Sequence, residues 1–135
     1  MSDAGGPRAV VAGHGNFASA MIEVVGRIGG RAEAFRAVSN DGRDGPGIEQ
    51  AIRDGLRELG ATVIFTDLPA GSCTIAARRI VHADPSITLV TGASVPLLLD
   101  FAFGDGSLPA DIDRAAARAR ASIQVHGGQG SARAG

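Results

Sequence analysis

Four short runs rich in apolar and β-branched residues recur along the chain: Ala9–Ala12, Ala34–Val38, Thr62–Thr66 and Ile87–Thr91. Their near-continuous hydrophobicity predicts strands covered on both faces, the pattern of a parallel sheet. The second run is the weakest, because Arg36 interrupts it. Helical spacing fills the gaps. Ala18, Met21, Ile22 and Val25 follow the i, i+3, i+4, i+7 rule, as do Ile48, Ala51, Ile52, Gly55, Leu56 and Leu59 after Pro46, a residue suited to a first helical turn. A third helix is predicted from Ser72 to His82, with Ala76/Ile80 and Ala77/Val81 stacked one turn apart. Ser94 and Pro96 open a fourth, carrying Leu97, Leu98 and Phe101, and Pro109 opens a fifth, with Ile112, Ala115, Ala116 and Ala119 on its apolar side. After it, Ser122–His126 alternates apolar and polar positions and predicts a short terminal strand. The order β-α-β-α-β-α-β-α-α-β implies an α/β fold, a three-layer, doubly wound and mainly parallel sheet with right-handed crossovers.

With 135 residues the chain has room for one domain, expected over 1–135 with a core of about 8–127 and a tail of 128–135, which excludes an enzyme with separate nucleotide and substrate lobes. At 44% hydrophobic and 20% charged residues, it has enough apolar mass for a core and too little charge for disorder. The small and polar ends, from Met1 to Pro7 and from Gly127 to Gly135, are expected to be mobile. A net charge of −1 lacks the basic surplus of a nucleic-acid or anionic-membrane binder. All 13 basic residues are arginine, so lysine-dependent chemistries such as a Walker-type loop or a Schiff base are excluded. The lone Cys73 cannot form an internal disulfide, the N-terminus has no secretory pattern, and no apolar run approaches the roughly 18 residues of a membrane span. A cytoplasmic protein is expected. The three histidines are isolated and no Cys/His/Asp cluster has ligand spacing, so neither a metal nor a cofactor is expected.

Open parallel sheets bind ligands outside the carboxyl ends of their strands. Three such places look chemical: Gly13-His14-Gly15-Asn16-Phe17-Ala18, Asp67-Leu68-Pro69-Ala70-Gly71-Ser72-Cys73, and Gly92-Ala93-Ser94. The first matches G-x-G-x-x-A, a dinucleotide fingerprint. The chain is too short for two mononucleotide halves, however, and the acidic residue that should follow would be Glu33, ahead of the second strand rather than at its end. A histidine between two glycines at a strand end is more telling. The glycines turn the backbone and uncover the imidazole, and the amides from Gly15 to Ala18 open a helix whose dipole favours an anion. Asp67 closes the third strand, a neighbour of the first in a doubly wound sheet, so its carboxylate can orient His14 and free the other ring nitrogen for attack. Ser72 can cap the third helix and offer its hydroxyl to a phosphoryl group. Blander readings stand beside these: Asp67 as a turn residue, Ser72 as a plain cap and His14 as a loop histidine without a task. Cys73 reads as a small apolar residue, His82 as a partner of its helix dipole and His126 as inert.

Three stretches together, Val10–Met21, Phe65–Ser72 and Val90–Leu99, resemble the IIA components of the mannose class of the phosphoenolpyruvate-dependent sugar phosphotransferase system (PTS), including the N-acetylgalactosamine branch. The likeness covers about Ala9 to Gly127. It implies a phosphotransferase that accepts a phosphoryl group on histidine from phospho-HPr and passes it to a IIB component for sugar uptake. By this resemblance His14 is the phosphorylated residue, Asp67 its hydrogen-bonded partner and Ser72 a residue beside the phosphate; with the helix-terminus amides of Gly15, Asn16 and Phe17 and with Gly71 in the loop facing it, these are the residues expected to bind the phosphate. It also implies a homodimer in which the terminal strand Ser122–His126 crosses to the neighbour. No fused IIB domain is expected, and contact with the membrane would run through the system's membrane components. The family pattern Asp-x-x-Gly-Gly-Ser/Thr-Pro-Phe is altered here by Ala70, Cys73 and Thr74, which puts the loop shape and the partner's identity in question. A regulatory phosphohistidine module would look the same at these motifs; a phosphoryl donor to a dihydroxyacetone kinase, whose carrier domain is related, is the further alternative, and the Gly-His-Gly-Asn-Phe-Ala wording fits the sugar branch better.

Overall fold

The computed structural model describes residues 6–129; of the ends expected to be mobile, 1–7 and 127–135, residues 1–5 and 130–135 lie outside the described residues. Strands β1 (Ala9–Gly13), β2 (Phe35–Ser39), β3 (Val63–Thr66) and β4 (Thr88–Thr91) form one sheet in the order β2-β1-β3-β4, with every pairing parallel. The helices are α1 (Phe17–Gly29), α2 (Gly45–Leu59), α3 (Ser72–Ala83), α4 (Val95–Ala102) and α5 (Pro109–Ala121).

Side chains alternate across the strands and feed two separate cores. Ala9 and Val11 of β1 join Phe65 of β3 beneath α1, α4 and α5, where Phe65 meets Phe101 edge-on at 5.0 Å. Val10 and Ala12 face the other way and pack with Ile64 against Ile48 and Ile52 of α2 and Ile80 of α3. Helices therefore cover both faces, which is why β1 and β3 read as continuous apolar runs. β2 lies at an edge and exposes Arg36, which pairs with Glu58. Its predicted start at Ala34 moves by one residue, because a 3-10 turn over Ala32–Ala34 delivers the chain to the sheet.

Several local signals act as the sequence implies. Ser94 caps α4 by accepting the Leu97 amide at 3.3 Å, and Pro109 opens α5. One expectation needs correction. Ser72 is the first residue inside α3 rather than its cap; Gly71 occupies the capping position, at φ +125° and ψ 172°, a conformation nearly confined to glycine. The segment Ser122–His126 forms no strand in this sheet: Ser122 closes α5, and Ile123 and Val125 are exposed.

Candidate functional site

The sheet order reverses between β1 and β3: from β1 the chain moves outward to β2, then returns to place β3 on the other side. At such a switch point the loops after the two central strands diverge and leave a crevice. Ala12 pairs with Thr66, so the residues that follow, Gly13-His14 on one strand and Asp67 on the other, emerge side by side. Position in the sheet thus brings together two residues 53 positions apart.

The contact is twofold. The His14 backbone amide donates to Asp67 Oδ2 at 2.9 Å, and the ring Nδ1 lies 2.8 Å from the same oxygen. A carboxylate can only accept, so Nδ1 holds the proton, and in the neutral ring Nε2 keeps its lone pair. The Asp67 side chain is 11% exposed and that of His14 45%, which places the carboxylate inside and the ring at the surface. Burial pushes the Asp67 carboxyl up, but the His14 amide, the His14 ring bond and the ring's charge together outweigh it and hold the group below its ordinary value. Asp67 is accordingly the ionised orienting partner.

The other predicted residues take different places. The Gly15 amide donates to Asn40 Oδ1 at 3.2 Å, and the Phe17 amide to the His14 carbonyl at 3.0 Å. Those two amides of the expected anion cradle are therefore already bonded. Asn16 stands at the start of α1 and makes no capping bond with its side chain. The Phe17 ring covers Gly13, where a Cβ would fall 2.7 Å from Cδ2 of Phe17 and 3.1 Å from Cγ of Asp67; only glycine admits that approach. Gly71 faces the ring of His14, and a Cβ there would stand 3.2 Å from Cε1 and 3.9 Å from Nε2. The N-terminus of α3 thus begins beside the reactive edge of the imidazole. The amides of a first helical turn lack intrahelical acceptors and favour an anion, so Ser72, Cys73 and Thr74 present donors where the sequence pointed to α1. The Cys73 side chain is fully buried, and burial followed by the Asp67 charge pushes its thiol up against a hydrogen bond from Ser72. It acts as a packed apolar group. His82 lies in the last turn of α3, and the His126 ring is 2.9 Å from Gln124 Oε1.

The sequence reading missed Asn40, whose side chain reaches across from the end of β2 to hold the turn after His14. A polar residue directly after a strand was the available signal.

A family model described as "PTS system fructose IIA component" matches residues 8–117. No curated protein matches the chain. Among solved structures it is similar to phosphotransferase system component EIIA from Streptococcus agalactiae, at 14% identity and a TM-score of 0.77 over 87% of this chain and 95% of that one. It is also similar to the PTS IIA protein associated with the fucose utilization operon from Streptococcus pneumoniae, at 22% identity and a TM-score of 0.74 over 89% and 93%. The mannose/sorbose specific IIA subunit from Enterococcus faecalis aligns at 17% identity and a TM-score of 0.71, over 91% and 96%. At these identities the likeness to the solved structures is one of fold.

Proposed function

The chain belongs to the PTS IIA family of the fructose/mannose type, and from that premise we propose that it is a cytoplasmic phosphocarrier whose acceptor is Nε2 of His14. The observation that supports this most is the 2.8 Å contact between Nδ1 and Asp67, which turns the free lone pair of an exposed ring toward solvent beside the start of α3. Phospho-HPr docks and presents its phosphohistidine. The Nε2 lone pair forms the new N–P bond while the donor's N–P bond breaks and its electron pair returns to the donor nitrogen. Positioning and charge stabilisation supply most of the catalysis in such a transfer. Asp67 holds the ring and offsets the positive charge it develops, while the amides of Ser72, Cys73 and Thr74, with the Ser72 hydroxyl, donate to the equatorial oxygens. The same steps in reverse hand the group to a IIB component, in the manner of the mannose class. Two copies assemble by exchanging Ser122–His126.

Labelled phosphoenolpyruvate, with enzyme I and HPr, should give an acid-labile, base-stable adduct on the wild-type protein and none on His14→Ala. Equal labelling of that variant would assign the nucleophile elsewhere. The regulatory and kinase-donor readings share this first step, and passage of the label to a IIB component is what separates them.

A further inference from the structure

Between β3 and α3 the chain carries both Asp67 and Gly71, and beneath this loop two hydroxyls are sealed from solvent. Thr66 is 0% exposed and Thr74 1%. Their Oγ1 atoms are 2.7 Å apart, and Thr74 Oγ1 stands 2.6 Å from the Leu68 carbonyl oxygen, which Thr66 Oγ1 approaches only to 3.4 Å. Each hydroxyl has one proton. Thr74 gives its proton to the nearer acceptor, the Leu68 carbonyl, and the proton shared between the two threonines comes from Thr66. Both hydroxyls and the carbonyl are then satisfied, as burial demands.

The brace joins parts that are themselves fixed. The Thr66 carbonyl accepts the Ala93 amide at 2.9 Å, locking the strand end, and Thr74 sits in the first turn of α3. Between them, the bonded Leu68 carbonyl sets the Leu68–Pro69 peptide plane, one residue beyond Asp67, and so fixes the end of the short link that carries the carboxylate. Valine would fill the volume of threonine at position 74, so packing alone does not account for the hydroxyl.

We propose that Thr74, backed by Thr66, is a positioning residue for phosphoryl acceptance: its bond to the Leu68 carbonyl aims the Asp67 carboxylate at Nδ1 of His14. This rests on reading His14 as the acceptor. In Thr74→Val the carbonyl keeps only the long 3.4 Å approach of Thr66 Oγ1, the loop relaxes, and Asp67 no longer imposes one tautomer on the ring.

The test compares Thr74→Val with Thr74→Ser, which keeps the hydroxyl. Long-range proton–nitrogen NMR at mildly alkaline pH reads the His14 tautomer, and labelling from phospho-HPr reads the rate. Wild type and Thr74→Ser should hold the Nδ1–H form and accept label at rates within about twofold of each other. A folded Thr74→Val should show mixed tautomers and a rate about tenfold lower, the ratio set by one buried hydrogen bond. Thr74→Ala, which puts no methyl against the carbonyl, supplies the same comparison if Thr74→Val does not fold. A hydroxyl-free variant that keeps the Nδ1–H tautomer and the wild-type rate overturns the proposal, as does a Thr74→Ser that fails equally. If the wild-type protein accepts no phosphoryl group, the carrier reading falls, while the tautomer comparison still decides whether the brace orients the ring.

Discussion

Asp67 is where opposing forces at the site meet. Its burial favours the neutral acid, and two bonds from His14 together with the ring's charge favour the carboxylate and prevail. The folded-state value lies below the ordinary 3.8, so the pairing contributes stability above that value and loses it as pH falls through the lowered one. Urea unfolding of wild type and Asp67→Asn should therefore show a gap at pH 6 that closes between about pH 5 and the acid limit. A gap unchanged across that range would mean that Asp67 is held by something other than its ionised pairing. The sequence made His14 and Asp67 readable because a histidine between two glycines and a carboxylate directly after a strand are local signals. Asn40 and Thr74 were not readable in their roles. Asn40 acts on an amide 25 positions away, and Thr74 differs from an ordinary helix residue only through the buried carbonyl above it.

The entry to α3 shows how an element's first turn can be misread by one residue and change the chemistry. Ser72 looked like the cap because serine is a favoured capping residue, yet Gly71 takes that place with a backbone that other residues resist. The shift brings α3's free amides to the ring, and the absence of a side chain at Gly71 is what lets His14 sit there. Gly71→Ala should destabilise the fold by about 1–3 kcal/mol through backbone strain and also displace the ring, whose Cε1 is 3.2 Å from the new Cβ. Urea midpoints read the first effect and the His14 ring resonances the second; unshifted ring resonances would mean that the loop yields instead. At α2 the sequence offered Pro46 as the opening signal, while the cap is Asp44, which accepts the Gly47 amide at 2.8 Å. A helix N-cap lies outside the apolar periodicity that reveals the helix, so pattern reading finds bodies better than ends.

The strand order was largely implicit in four apolar runs separated by helices, since right-handed crossovers leave few arrangements. The fate of Ser122–His126 was not, because alternation marks a strand without saying which chain it joins. In the sheet, β4 is an edge with half-buried residues, and next to it a groove of about 370 Å³ is lined by Val90, Thr91, Leu97, Ala116 and Ile123. An open edge invites another strand. Ile123 at 80% and Val125 at 68% exposure stand two apart, which puts two apolar side chains on one face of any strand formed there. In the exchange proposed above, these side chains from one copy cover β4 of the other and close both edges. The wild-type protein should then sediment at twice 13.6 kDa and Ile123→Asp at 13.6 kDa, because a carboxylate in the covered groove loses its hydration, a cost that pairing with Arg120, which also lines the groove, does not fully offset. His14 and Asp67 come from a single chain, so the monomeric variant should keep its circular dichroism and still take label from phospho-HPr. A wild-type protein that is monomeric at micromolar concentration would remove the exchange, and an Ile123→Asp dimer would move the interface elsewhere on the surface.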